Sequence, residues 1–308
     1  MNLDPMKHNP LHRARSGRSG FQLSDGLTLR EAFAEASSFL REKGIDEADE
    51  NARLLLKEIL GMSGAQYAMA LREPFPYEHR ERWENAITRK GDGEPAQYIL
   101  GDQEFYGFLF EVTPDVLIPR PETELLVEAV VTRAKGLWPE GRPTTLDVGT
   151  GSGAIAVSLK LLRPQLEVTA SDISPGALGV ARRNAERLGA PIHFYEGSLL
   201  EPFAGQHFDI LVSNPPYIPA ADIEELQPEV RDFEPRGALD GGPDGLWPYR
   251  EIMKQLDLLQ SDPQLIAFEL GMGQAEEVAD MLRARGSWST VETVHDLAGI
   301  GRHVIGIA

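Results

Sequence analysis

Apolar positions recur at helical spacing through the first third of the chain. Leu29, Ala32, Phe33, Ala36 and Leu40 share one face, Thr28 and Glu31 in front of them form a capping box, and Gly44 supplies a left-handed stop. A second stripe, Ala48, Ala52, Leu55 and Ile59, ends at Gly61; Ser63 with Gln66 opens a third helix, and Trp83 with Ile87 marks a fourth. Over 105–118 the period shortens to two, with Phe108, Phe110 and Val112 on one side between Gly107 and Pro114-Asp115, which predicts a hairpin. Short apolar runs then alternate with helical ones. Strands are expected over 144–148, 166–171, 192–195, 208–212 and 265–270, and helices over 154–162 and 175–188, the second bracketed by Pro175 and Gly189. Two last runs, 290–294 and 303–307, flank a glycine-containing loop and suit antiparallel closure. The alternation specifies an α/β domain, a mostly parallel sheet with helices on both faces.

The same pattern divides the chain into a leader (1–26), a helical domain (27–98), a hairpin linker (99–119) and an α/β domain (120–308). The leader holds Lys7, Arg13, Arg15 and Arg18 among Gly, Ser, Asn and Pro. Little in it offsets the entropy of ordering, so it reads as a disordered leader or appended extension in preference to a basic arm. A length of 308 residues suits two domains. Thirty Lys and Arg against 48 Asp and Glu leave a net charge of −18, which weighs against binding nucleic acid through its phosphates. The absence of cysteine excludes disulfides, thiolate metal sites and a cysteine nucleophile. The first ten residues lack the apolar stretch of a secretory signal, and no run approaches the roughly 18 apolar residues of a membrane span. The expected setting is cytoplasmic, with no membrane and no direct nucleic-acid partner.

Two motifs carry chemistry. The first runs from Thr145 through Val148 into Gly149-Thr150-Gly151-Ser152-Gly153 and Ala154, a strand, a glycine turn and a helix start. Glycines admit positive φ and a close ligand, and a helix start offers N–H groups and a positive dipole end. Asp172 ends the next strand nineteen residues after Gly153, where a carboxylate can accept both ribose hydroxyls of a nucleoside. Gly149, Gly151 and Ala154 also satisfy the permissive dinucleotide pattern, which keeps a nicotinamide-dependent oxidoreductase open at this point. The second motif is decisive. A strand over 208–213 runs straight into Asn214-Pro215-Pro216-Tyr217, and neither proline can donate a ladder bond. The loop is therefore stiff and sits at the carboxyl edge of the sheet, where open α/β folds bind ligands. Asn214 offers a side-chain carbonyl and the prolines leave backbone carbonyls without competing donors, acceptors suited to a planar NH₂ group, with Tyr217 able to cover its plane. His193, His207, His295 and His303 are scattered without metal-ligand spacing, so no metal is expected.

Gly149-x-Gly151-x-Gly153 with Asp172 and Asn214-Pro215-Pro216-Tyr217 resembles the S-adenosylmethionine-dependent methyltransferases of exocyclic and side-chain amide nitrogens. Three further stretches resemble the peptide chain release factor glutamine methyltransferases: Pro95-Ala96-Gln97-Tyr98-Ile99-Leu100-Gly101, Glu104-Phe105-Tyr106-Gly107 and Val116-Leu117-Ile118-Pro119-Arg120-Pro121-Glu122-Thr123-Glu124. So do Pro228-Glu229-Val230, Glu234-Pro235, Ala238-Leu239, Gly241-Gly242 and Asp244-Gly245-Leu246, and the likeness runs from about Leu27 to the end. The resemblance implies a Rossmann-like class I methyltransferase fold with an antiparallel last strand and an N-terminal helical domain that recognises the substrate. It implies S-adenosylmethionine held by Gly149, Thr150, Gly151, Ser152, Gly153, Asp172, Ser198, Leu199 and Asn214. It places catalysis on Asn214, Pro215 and Tyr217, and substrate binding on these residues with Pro216. The implied substrate is the glutamine of the Gly-Gly-Gln motif in class I release factors. The family often has an acidic or aromatic residue after the third strand to hold adenine; Gly197-Ser198-Leu199-Leu200 stands there, which leaves the role to the backbone.

Other readings compete with this one. Sister enzymes that methylate a glutamine of a ribosomal protein share the Asn-Pro-Pro-Tyr loop but tend to carry Pro-Arg-Ser where this chain has Pro119-Arg120-Pro121-Glu122-Thr123. An adenine methyltransferase of DNA or RNA would use the same acceptors and would want a basic groove. A nicotinamide-dependent oxidoreductase would leave Asn214–Tyr217 unused, and a non-enzymatic binding module would need only the helical domain. Arg120 and Glu122 either contact the methionine end of the cofactor or tie the domains together, and Glu229, Glu234 and Asp244 form an acidic loop read as a solvated face.

Overall fold

The computed structural model describes residues 20–296 and 298–308. The leader's basic residues lie outside them. The chain divides into two compact units, one up to Ala96 and one from Gln97 to Ala308.

In the first unit, α1 (Leu29–Glu42), α2 (Ala48–Leu60), α3 (Gly64–Ala70) and α4 (Arg80–Gly91) follow the sequence stripes. Thr28 with Glu31 and Ser63 with Gln66 both form complete capping boxes, so the orphan donors of two helix starts are satisfied locally. Trp83, Leu40, Leu55, Leu56 and Ile87 are all fully buried, and the Trp83 ring meets those of Phe21 and Phe75. The leader's end departs from expectation. Phe21 and Leu23 are buried, their N–H groups donate to Thr88 Oγ1 and Glu84 Oε1 at 2.9 Å each, and Arg80 bonds Leu23 O and Asp25. Residues 20–26 therefore belong to the helical unit, pinned by an alternation of only two apolar residues, too short to register as a period.

The second unit opens with α5 (Ala96–Leu100) and a two-stranded hairpin, β1 (Asp102–Phe105) and β2 (Phe108–Glu111). Tyr106 and Gly107 turn it with φ of 52° and 76°, the two-residue geometry that matches strand twist. The hairpin thus starts and ends a few residues earlier than the span expected from Phe108, Phe110 and Val112, with Phe108 and Phe110 in its second strand. It is also no free linker, because Phe105 and Phe110 pack edge-to-face at 5.9 Å within the core that holds Leu126 and Val130. Those two residues come from α6 (Pro121–Leu137), which the pattern left unmarked. Its buried residues include Thr123, Leu126, Val127, Val130, Val131 and Ala134, so apolar side chains surround much of the helix and erase the amphipathic signal.

The sheet has seven strands: β3 (Thr144–Val148), β4 (Glu167–Asp172), β5 (His193–Glu196), β6 (Ile210–Ser213), β7 (Leu265–Glu269), β8 (Thr290–His295) and β9 (Gly301–Ile307), ordered β5-β4-β3-β6-β7-β9-β8. The first five run parallel, and β9 pairs antiparallel with both β7 and β8. Period-two alternation feeds two cores. Ile210, Val212, Leu265 and Ala267 face α6 and α7 (Ala154–Leu162), with the end of α8 (Pro175–Leu188). Leu211, Ile266 and Phe268 face the other core. A short α9 (Pro228–Phe233) lies in the long connection after β6, and α10 (Trp247–Gln255) and α11 (Ala275–Arg285) cover that second face. Each large side chain so buried contributes about 1.5–3 kcal/mol. The strand order reverses at β3, with β4 on one side and β6 on the other, which opens a crevice at the carboxyl ends of these three strands.

Candidate active site

Strand register brings the two motifs together. Val148 pairs with Ser171 on one side and Ser213 on the other, so the residues that follow, Gly149, Asp172 and Asn214, leave three adjacent strands at one level. Ser213 Oγ donates to the Val148 carbonyl at 2.7 Å and locks this edge.

Gly149, Gly151 and Gly153 have φ of 72°, 55° and 83°, values that L side chains disfavour. A Cβ at Gly149 or Gly151 would point into open space, whereas one at Gly153 would lie 3.2 Å from Ala181 Cβ of α8. The first two glycines serve the turn and the approach to it; the third serves helix packing. The loop's N–H groups are less available than its sequence suggests. Gly149 and Thr150 donate to Ser171 O, both at 2.9 Å, and Gly151 donates to Asp172 Oδ2 at 2.9 Å. Ser152 O accepts from Asn184 Nδ2 at 2.9 Å, which ties the loop to α8.

Asp172 ends β4. Its second oxygen accepts from Ser174 N at 2.9 Å, so both carboxylate oxygens are anchored by backbone N–H groups and still have acceptor capacity for a further donor. Burial raises its pKa, opposed by the N–H groups of Ser174 and Gly151. Asp147, which the motif reading passed over, lies wholly buried beneath the loop. Its Oδ2 accepts the Thr150 hydroxyl at 2.6 Å, while Oδ1 is without a close hydrogen-bond partner among the described residues. Burial pushes this carboxyl up to about 7. A carboxyl whose folded pKa exceeds its unfolded value favours the fold while protonated, so its stabilisation is complete below about pH 4 and is lost as pH approaches 7. Relative to Asp147→Asn, the parent should therefore lose stability progressively as pH rises from about 4 to about 7. Thermal midpoints of both proteins from pH 4 to 8 check this; parallel profiles would contradict it.

Asn214 leaves the fully buried β6 and donates from Nδ2 to Thr123 Oγ1 of α6 at 3.3 Å. Pro215 is buried; Pro216 and Tyr217 are half-buried. The glycine-rich stretch after α9 wraps this loop. Ile218 N donates to Leu239 O at 3.0 Å and Gly241 N to Ile218 O at 2.9 Å, and Gln274 Nε2 donates to Tyr217 O at 2.9 Å. A Cβ at Gly241 would lie 2.8 Å from Pro216 O, and one at Gly245 2.2 Å from Tyr217 O. Burial and Glu269 push the Tyr217 phenol up to about 12, so it stays neutral.

Of the acidic loop, Asp244 is paired with Arg250 at 2.6 Å, but Glu234 is not a solvated residue. It is buried, takes the Arg120 guanidinium on one oxygen and accepts Ile118 N on the other at 3.2 Å. Arg120 thus ties two segments of the second unit to each other. Ser198 and Leu199 follow β5 in a tight turn, Leu199 at φ 50°, with Gly197 N donating to Asp172 O at 3.1 Å. Their backbone lies next to the Asp172 strand end, where Glu196 of β5 pairs in register with Asp172. His303 is fully buried 3.7 Å from Glu269 across β9 and β7, while His207 bonds Ser261 and Asp209 on the surface. Among the described residues no cluster of His, Asp or Glu has metal-site geometry, and no helix is long and apolar enough to cross a membrane.

Residues 31–101 match the family model of the PrmC N-terminal domain, and residues 121–227 that of the methyltransferase small domain. The chain is 44% identical over 279 residues to the release factor glutamine methyltransferase of Geobacter sulfurreducens, covering 91% of this chain and 96% of that protein. It is 42% identical over 280 residues to the Bacillus subtilis protein of the same name, covering 90% and 96%. Among solved structures, the hMettl16 catalytic domain in complex with the MAT2A 3'UTR hairpin 6 superposes with a TM-score of 0.52 at 15% identity, over 76% of this chain and 82% of that one. At that identity the likeness concerns the fold alone, a class I methyltransferase sheet.

Proposed function

The chain belongs to the release factor glutamine methyltransferase family, and from that premise we propose that Asn214 and Pro215 hold the accepting glutamine at the carboxyl end of β6 while the glycine loop and Asp172 hold the cofactor. The reaction is methyl transfer from S-adenosylmethionine to a release factor glutamine.

The residues at the β3 edge suit this cofactor. Gly149 and Gly151 leave open space where a Cβ would stand, and Asp172 keeps acceptor capacity for ribose hydroxyls. The Ser198 and Leu199 backbone would flank adenine. When bound, the cofactor supplies an electrophilic methyl on a sulfonium.

The chain's own task is to prepare a poor nucleophile. An amide nitrogen delocalises its lone pair into the carbonyl. Asn214 Oδ1 and the Pro215 carbonyl would accept both N–H bonds and aim the nitrogen, and the same dipoles would compensate the positive charge that develops on it. Tyr217 and Pro216 would line the slot. Two consecutive prolines fix the backbone, so no reorganisation is needed as charge appears. The observation that carries this reading is the shared level of Gly149, Asp172 and Asn214 on three neighbouring strands.

We assign the substrate to the Gly-Gly-Gln loop of class I factors because glycines flanking a glutamine leave no Cβ to obstruct a narrow slot. The helical unit then grips the body of the factor, and the setting is the cytoplasm. S-adenosylmethionine or its demethylated product should raise the thermal midpoint by mass action, and Asp172→Ala should blunt the rise. Stabilisation by NAD with no response to either methyl-cycle ligand would overturn the assignment.

A further inference from the structure

An asparagine side chain is a two-faced group. Its terminal torsion is broad and roughly two-fold, and its oxygen and nitrogen ends are nearly equal in shape. Turned one way, Asn214 offers an acceptor to the incoming NH₂; turned the other, it offers a donor to a donor and repels it. The role assigned to Asn214 therefore needs a partner that holds the side chain in place with its oxygen outward.

The structure supplies a group at the right end. Asn214 Nδ2 donates to Thr123 Oγ1 at 3.3 Å, between residues 91 apart in sequence. Thr123 is 5% exposed, and its β-branch stiffens χ1, so Oγ1 is a fixed anchor point for the Asn214 side chain. It stands in the first turn of α6, and that turn is held firmly. Pro121 occupies its first position, the preceding Arg120 and Ile118 N are both bound by buried Glu234, and Glu124 Oε1 accepts Tyr106 N at 2.7 Å. Glu234 lies in the connection that follows the Asn-Pro-Pro-Tyr loop. The clamp on α6 and the loop it serves are thus parts of one stretch of chain.

We propose that Thr123 is a positioning residue that holds the Asn214 amide by its nitrogen and so presents Oδ1 to the substrate, an inference that rests on the assignment of Asn214 above. Arg120, Ile118, Glu234 and Glu124 act at one remove, by fixing the helix turn that carries the hydroxyl.

Thr123→Val keeps shape and burial and deletes the hydroxyl. In steady-state assays with intact release factor, kcat should fall roughly 10- to 100-fold, the scale of a misoriented reacting group. KM for S-adenosylmethionine and the thermal midpoint should stay close to the parent's, and Thr123→Ser should recover most of the rate. Added to Asn214→Ala, Thr123→Val should cost nothing further, since no amide remains to orient; single-turnover transfer of labelled methyl reads that comparison. Full activity in Thr123→Val with a crippled Asn214→Ala would overturn the proposal and leave the assignment of Asn214 standing. Full activity in both single variants would overturn both. A Thr123→Val loss that multiplies with Asn214→Ala, or that Thr123→Ser does not restore, would make Thr123 a packing residue and overturn the proposal.

Discussion

Asn214→Ala should lower kcat by roughly 10²–10³-fold, the usual cost of removing one preorganised polar group from the point where charge develops. The fold should survive, because Asn214 stands outside β6 and its described side-chain bond is the single contact to Thr123 Oγ1. The strand residues before it, fully buried from Ile210 to Ser213, carry the packing. Cofactor-induced stabilisation should also persist, since Gly151 and Asp172 hold each other without Asn214. The informative comparison is kcat against thermal shift on one preparation. Wild-type turnover would remove Asn214 from the chemistry, and loss of cofactor response along with turnover would make it a binding residue only.

The second large effect is expected at a glycine that touches no reacting group. Gly245 sits at φ 75°, and a Cβ there would lie 2.2 Å from Tyr217 O and 2.4 Å from Gln274 Nε2. Backbone cannot yield as a flexible side-chain tip does, so Gly245→Ala must displace the loop that carries Pro215 and Tyr217. A displacement near 1 Å at a reacting centre costs about 10²-fold in rate. Gly189→Ala is the control. Gly189 has φ 71° as the cap of α8 and open space around it, so it bears the left-handed strain of about 1–2 kcal/mol without the collision. Both variants should lose stability, and only Gly245→Ala should lose turnover beyond what its unfolded fraction explains. Equal specific activities of the folded fractions would contradict the account.

Those two positions also mark what the sequence could disclose. Glycine and proline act through their own backbones, so the glycine loop and the Asn-Pro-Pro-Tyr stop are legible locally, and strand order places them side by side once a parallel sheet is inferred. The hydrophobic periods disclosed α1, α2, the parallel strands and the antiparallel close for the same reason. Partnerships across the chain were not legible. Asn214 meets Thr123 from 91 residues away, and Glu234 meets Arg120 from 114, so no spacing rule connects them. Glu234 read as a solvated acid because its neighbours are acidic, and only the folded chain shows that it is buried. Asp147 was hidden by its position inside a strand, where a carboxylate reads as a packing anomaly until its burial is seen. The helix α6 escaped because burial around most of its surface removes the contrast on which periodicity depends.

The central claim is the transfer of a methyl to one glutamine nitrogen, and intact mass analysis with peptide mapping tests it directly. Recombinant class I release factor is incubated with the enzyme and isotope-labelled S-adenosylmethionine, then digested and sequenced by tandem mass spectrometry. One labelled methyl on the glutamine of the Gly-Gly-Gln loop, absent with Asn214→Ala, is the result expected. Label confined to a ribosomal protein or to adenine, with the release factor unmodified, would contradict it.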